Sequence, residues 1–174
     1  MIQLSSLVWV LAIFFAIIGF MRGFQKEVIA LAGIVLAFYT LFQFDSVLRG
    51  LLFWSLPREQ VFFVQAAIFL AIVWVAYQTR GPLVRRDSER LQSGILGGFL
   101  GFANGYLIGG TLWYFLDINE YPLYPLVISP TPNSPSALSL NTIPAVLFSG
   151  GTSGGGDVLA IAVLVMFFLV LLVI

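Results

Sequence analysis

Five long apolar runs limit what this chain can fold into more than any other feature of its sequence. A helix needs about 20 consecutive apolar residues, within a range of roughly 17–25, to cross the hydrocarbon core of a bilayer. Each run is near that length, and polar or Gly- and Pro-rich segments separate them. The runs are 2–21, 28–44, 61–77, 94–116 and 158–174. We therefore predict an all-α integral membrane protein with about five transmembrane helices.

The scarcity of charged residues supports the same conclusion. Hydrophobic residues make up 60% of the chain and charged residues 9%, and the mean hydropathy is +1.02. A soluble domain has about a quarter of its residues charged, so this chain is too apolar to cover itself with a polar surface. We predict that its first partner is the lipid bilayer, and we expect no nucleic acid partner.

The composition also excludes several kinds of catalytic site. The chain has no cysteine, which rules out disulfides, thiolate metal sites and thiol nucleophiles. It has no histidine, the commonest metal ligand and general base. No nucleophile–base pair is visible in the pattern of the other residues. We expect no enzymatic activity, no catalytic residue, no metal and no cofactor.

Composition divides the chain into three parts. Residues 1–117 hold the first four runs and form the predicted membrane domain, and residues 158–174 form the predicted last helix. Residues 118–157 contain six of the eight prolines and the sequence GGTSGGG. Because proline lacks the backbone donor that helices and sheets use, we predict a long Pro/Gly-rich loop outside the cytoplasm. We expect its short apolar stretch, 143–148, to rest among the lipid headgroups.

The distribution of lysine and arginine predicts the orientation. With five spans, six basic residues lie on one side of the membrane, and only Arg49 and Arg58 lie on the other. The six are Arg22, Lys26, Arg80, Arg85, Arg86 and Arg90. Because cytoplasmic loops carry the excess of Lys and Arg, we predict that the loop at 79–93 is cytoplasmic and the N-terminus faces outward.

A row of small residues marks the fourth run. Every fourth residue is a glycine at Gly97, Gly101, Gly105 and Gly109, and Ser93 extends the row backwards. Residues four apart lie nearly above one another on a helix, so the row forms a groove that a second backbone can approach closely. We predict a packing surface, although glycine is common in membrane helices generally. Beside the groove, Asn104 is expected to form an interhelical hydrogen bond rather than a transport site.

A second motif, GFMRGFQKE, lies between the first two runs. Gly19 begins it, and Gly23 permits a tight reversal of the chain. Arg22 and Glu27 then lie at the membrane edge, where an unpaired charge is costly and pairing is favoured. The ordinary interpretation is a cytoplasmic hairpin with basic side chains that reach toward the headgroups. We expect Arg22 and Glu27 to meet across this turn.

GFMRGFQKE at 19–27, followed by LGGFLGFANGYLIGGTLWYFLD at 96–117, resembles the CvpA (colicin V production protein) family. Its members are bacterial inner-membrane proteins with an Arg-Gly-Phe-x-x-Glu hairpin and a later Gly-rich helix. The resemblance covers about residues 1–117 and implies a role in colicin V production or export, which is grouped with toxin biosynthesis. This chain has Ser5, Ser93-Gly94 and Asn104 where the family usually has Asp, Asp-Arg and Arg.

Three interpretations of function remain. The first is a CvpA-like protein that acts in export or envelope maintenance without catalysing a reaction. The second is a small structural subunit of a larger (bioenergetic) membrane complex. As partners we expect other membrane subunits, or a homo-oligomer, joined through the Gly-rich helix. A channel or transporter is the least favoured, because the spans hold almost no ionisable residues to line a path.

Overall fold

A computed structural model describes residues 3–51, 53–78, 87–140, 142–149 and 157–173. Within these ranges the regular elements are all α-helices. The helices are α1 (Leu4–Arg22), α2 (Phe24–Gln43), α3 (Asp45–Leu51), α4 (Arg58–Tyr77), α5 (Asp87–Ile118), α6 (Pro135–Leu140), α7 (Pro144–Ser149) and α8 (Asp157–Val173). The prediction of an all-α protein is confirmed for the described part of the chain.

Four of the described helices, α1, α2, α4 and α5, are long and apolar enough to cross a membrane. Of α5, the part that qualifies is Arg90–Ile118, with 29 residues. The last helix, α8, is also apolar but has only 17 residues. A multi-pass membrane protein is therefore confirmed, and the fifth span stays a prediction.

The bundle is organised around α2 and α5. Helix α1 packs along α5, and α2 contacts α4, α5 and α8. Between them lies a core of large apolar side chains, in which the rings of Phe69 and Phe115 meet edge to face with centroids 5.8 Å apart. Ile34 and Phe38 of α2 are buried in the same core. These contacts contribute to how α2, α4 and α5 are rotated about their own axes.

The Pro-rich segment differs from the predicted loop, because it contains the short helices α6 and α7. Each begins with a proline, Pro135 or Pro144. The first turn of a helix does not use its backbone N–H groups, so proline is tolerated there. Ile143, expected among the headgroups, is instead buried beside Gly110 of α5. The glycine sequence at 150–156 lies outside the described residues.

One further helix and one helix boundary differ from the predictions. Helix α3 lies in a region that carried no predicted helix, and its acidic first turn and basic last turn suit the helix dipole. Helix α5 begins at Asp87, inside the predicted cytoplasmic loop, and continues to Ile118. The loop arginines Arg80, Arg85 and Arg86 lie outside the described residues.

Candidate functional site

Four polar side chains from four helices meet where α1 turns into α2. They are Arg22 of α1, Glu27 of α2, Tyr77 of α4 and Asn104 of α5, and we call them the Glu27 cluster. The spanning parts of these helices are predominantly apolar, and an ionisable side chain in such a setting marks a candidate functional site.

The turn at Gly23 places Arg22 and Glu27 within reach of each other. Gly23 has φ 84° and ψ 166°, a conformation that L side chains rarely adopt, and it both ends α1 and precedes α2. Its N–H donates to the carbonyl of Gly19 at 2.8 Å. The next N–H, that of Phe24, donates to the hydroxyl of Ser93 at 3.0 Å. The hairpin is therefore tied to α5 at its tip.

Glu27 is buried, with 0% of its side chain exposed, and its carboxylate accepts from three donors. Arg22 Nη1 donates to Oε1 at 2.5 Å. Tyr77 Oη donates to Oε2 at 3.1 Å, and Asn104 Nδ2 donates to the same oxygen at 2.8 Å. A buried carboxylate is costly unless it is paired and hydrogen-bonded. These three donors compensate that cost.

The guanidinium of Arg22 is fixed by α4 as well as by Glu27. Its Nη2 donates to the backbone carbonyl of Tyr77 at 2.8 Å, and its Cζ lies 4.3 Å from the centre of the Tyr77 ring. The planar guanidinium suits such combined bonding and stacking. Tyr77 therefore contacts both members of the Arg22–Glu27 pair, a role that the sequence motif did not reveal.

Asn104 joins α5 to α2 but leaves one atom unused. Its Nδ2 also donates to the backbone carbonyl of Glu27 at 3.2 Å. Its Oδ1 is buried and accepts no hydrogen bond in the part of the chain that the structure describes. An unpaired buried acceptor costs about 1–3 kcal/mol. The cluster therefore keeps a hydrogen-bonding capacity that the bundle does not use.

The glycine row of α5 lies directly against α1. A Cβ atom at Gly97 would overlap the carbonyl oxygen of Gly19, and one at Gly101 would overlap that of Phe15. A Cβ at Gly105 would come within 2.7 Å of the carbonyl oxygen of Leu11. Side chains at these positions would force the backbones apart.

The row loosens toward its far end. A Cβ at Gly109 would lie 3.3 Å from Val8 Cα, a tight but less severe contact. At the near end, a Cβ at Gly97 would also come within 2.8 Å of Gly23 Cα. The structure thus brings the glycine row and the hairpin motif together at one end of the α1–α5 crossing, next to the Glu27 cluster.

A second polar group, which the sequence analysis did not find, joins α3, α4 and the end of α5. We call its members the Asn119 network: Asp45, Arg49, Gln65 and Asn119. Arg49 Nε donates to Asp45 Oδ2 at 2.8 Å, and its Nη2 donates to Asn119 Oδ1 at 3.2 Å. Gln65 Nε2 donates to Asp45 Oδ1 at 2.9 Å, and Asn119 Nδ2 donates to Gln65 Oε1 at 2.8 Å.

Sequence signals for this network were present but weak. Gln65 is a polar residue inside an apolar run, Asn119 lies three residues after the end of another, and Asp45 and Arg49 have the i,i+4 spacing of a helical ion pair. Each signal alone is common in membrane proteins. Among the described residues, no group of three or more His, Cys, Asp or Glu side chains could hold a metal ion.

Comparison with known proteins identifies the family. A family model described as Colicin V production protein matches residues 4–127. The comparison with curated proteins and the comparison with solved structures each found no match. The matched range includes the hairpin, the glycine row and both polar groups, and it ends before α6, α7 and α8. Because the match covers most of the chain, this protein belongs to the Colicin V production protein family.

Proposed function

We propose that this protein is a non-enzymatic component of the bacterial inner membrane that supports colicin V production or export, or maintenance of the cell envelope. Family membership supports the general role. The observation that carries the proposal is the ion pair between Arg22 and Glu27, because it joins a charged residue from each side of the Gly23 turn of the hairpin motif.

The bonding within the Glu27 cluster supports a holding role for the hairpin. Both carboxylate oxygens of Glu27 accept hydrogen bonds from neighbouring helices, and the side chain is buried. A general base or a nucleophile must reach its substrate, whereas these oxygens are engaged within the bundle. We infer that the hairpin is a rigid structural element. It holds α4 and α5 in the positions in which they contact partners in the membrane.

The proposed orientation has the Gly23 turn and the start of α5 in the cytoplasm. The bond between Phe24 and Ser93 brings the hairpin and the first turns of α5 to one end of the bundle. Lys26 and Arg90 therefore belong to the same end. This grouping supports the use of the excess of Lys and Arg, six against two, to predict which end of the bundle is cytoplasmic.

Cysteine labelling tests the orientation, because the chain has no cysteine of its own. In intact cells, Ser134→Cys should react with a membrane-impermeant thiol reagent, and Ser88→Cys should react only after the membrane is opened. The opposite labelling pattern would overturn the proposed sidedness.

Complementation of a deletion strain tests the function. Glu27→Gln removes the charge but keeps the shape of the side chain, and Glu59→Gln makes the same change at an exposed residue of α4. We expect Glu27→Gln to lower the amount of protein in the membrane and colicin V export together, with no effect of Glu59→Gln. If Glu27→Gln abolishes export at an unchanged protein level, the cluster acts directly in function.

Two results would contradict the proposal. One is full colicin V export and an intact envelope in the deletion strain without any complementing copy. The other is purification of the wild-type protein in a fixed ratio with respiratory or other energy-converting subunits, identified by mass spectrometry of the native complex. That second result would favour the structural-subunit alternative.

A further inference from the structure

An exposed apolar surface lies between α2 and α4, on and around the short helix α3. Its large side chains include Trp54 and Leu51, which are 78% and 72% exposed. We call this set the α3 surface: Phe44, Val47, Leu51, Trp54 and Leu56. Five large apolar side chains in such a short segment form an interaction surface rather than scattered exposed residues.

The charged side chains of the same segment turn toward the bundle. Asp45 and Arg49 bond to each other and to Gln65 and Asn119, and their side chains are 31% and 35% exposed. The charged residues of α3 are thus less exposed than Leu51 beside them. Water would favour the opposite arrangement, so this arrangement fits an apolar medium over the surface.

Neighbouring contacts locate the edge of that apolar medium. Phe44 at the end of α2 and Phe63 in α4 are about half exposed, so the α3 surface continues the exposed apolar faces of two predicted spans. Beyond Trp54, Arg58 forms an ion pair with Glu120, and both side chains are more than 60% exposed. The α3 surface therefore continues the apolar faces of the spans and is followed along the chain by an exposed ion pair, whose charges favour water.

We propose that α3 and residues 53–56 lie in the membrane interface, with the α3 surface in contact with phospholipid at the boundary between headgroups and acyl chains. Tryptophan favours this zone because it has a large apolar ring and one polar N–H. The Asn119 network holds the charged face of α3 against α4 and α5, and so it sets which face meets the lipid. The segment is an interfacial anchor in addition to the spans.

Quenching of tryptophan fluorescence tests this placement. Trp9, Trp74 and Trp113 are replaced by Phe, and the single-Trp54 protein is reconstituted in vesicles of phosphatidylcholine brominated at a shallow acyl position. Aqueous iodide is the competing quencher. Two single-Trp proteins serve as controls, one retaining the exposed Trp74 of α4 and one retaining the buried Trp113 of α5.

We expect the shallow brominated lipid to quench most of the Trp54 emission, and iodide to quench only a small part of it. Trp113 should respond least to either quencher. Strong quenching by iodide without quenching by the lipid would show that water covers the surface. Quenching by neither would show that a second copy or another protein covers it. Either result overturns the proposal.

A second measurement covers the case in which the single-Trp protein does not fold. Leu51→Cys in the otherwise cysteine-free chain accepts a nitroxide label. Its collision rate with oxygen, which concentrates in lipid, should exceed its collision rate with a water-soluble nickel complex. Adding Asp45→Asn, which weakens the Asn119 network, should move this ratio toward the aqueous value. A label that favours the nickel complex in the parent protein would contradict the proposal.

Discussion

The Glu27 cluster and the Asn119 network bind the same long helices, α4 and α5, in different ways. In the cluster, the carboxylate is fully buried and the Asn104 amide keeps an unpaired Oδ1. In the network, the charged residues are about one third exposed, and the buried amides of Gln65 and Asn119 have both their donor and acceptor atoms bonded.

This difference changes what each group does for stability. A buried charge is tolerated only while its partner is present, so the cluster is sensitive to the loss of a single residue. An ion pair that is about one third exposed can exchange its partner for water, so the network depends mainly on its buried amides. The cluster is therefore stable in only one arrangement of α1, α2, α4 and α5. The network holds α3 in place, and the loss of one of its charged residues should cost less stability.

The largest expected effect is that of Arg22→Gln. It leaves Glu27 buried without its cationic partner, and breaking a buried pair in this way costs about 3–5 kcal/mol. Thermal unfolding in detergent micelles should show a large fall in the melting temperature. Arg58→Gln, at an exposed ion pair, is the matched control and should change little.

The same substitution made in a Glu27→Gln background measures how much of the Arg22 contribution depends on Glu27. Once Glu27 is neutral, Arg22→Gln should add little further loss, so the coupling free energy should be close to the loss that Arg22→Gln causes alone, about 3 kcal/mol or more. Additive losses would mean that Arg22 acts through Tyr77 rather than through Glu27.

Gly101→Ala should have the next largest effect. The new Cβ would overlap the Phe15 carbonyl oxygen, so α1 and α5 must separate, at a cost of about 1–3 kcal/mol. At Gly110, a Cβ would lie 3.6 Å from Ile143 Cβ, an ordinary contact. Gly110→Ala is the control and should be neutral, or stabilising by up to about 1 kcal/mol. Equal unfolding temperatures for the two variants would show that the crossing is not close.

A smaller loss is expected for Asn119→Ala. The change leaves Gln65 Oε1 buried without a donor, which costs about 1–3 kcal/mol, and because the neighbouring Asp45–Arg49 pair is about one third exposed we expect a loss toward the lower figure. The unfolding free energy is compared with that of Gln92→Ala, at an exposed position in α5. If the two variants are equally stable, the amides do not hold the network.

The smallest effect should come from Asp45→Asn. It removes the charge of the ion pair with Arg49, which is about one third exposed and contributes roughly 0–1 kcal/mol, and it keeps the Oδ1 that accepts from Gln65. The melting temperature should fall by much less than in Arg22→Gln. A loss as large as that of Arg22→Gln would remove the distinction between the two polar groups.

Local sequence determined the features that depend on nearby residues. The apolar runs predicted the long helices, because spanning a bilayer requires a certain length of apolar chain. The order Arg22, Gly23, Glu27 predicted the ion pair, because the two charged residues are only five positions apart and a glycine turn between them brings their side chains together. The sequence did not predict short helices such as α6. Proline is tolerated at the first position of a helix, but without knowledge of where a helix begins it predicts that no helix forms.

Only the tertiary structure decided which distant residues complete the two polar groups. Tyr77 is 50 residues from Glu27, Asn104 is 77 residues from it, and Asn119 is 54 residues from Gln65. Whether such side chains meet depends on the rotation and tilt of whole helices. Those are set by packing, above all by the contact of the α5 glycines with the α1 backbone. Helix propensity and apolar length carry no information about rotation, and for that reason the sequence predicted the hairpin pair but not its partners.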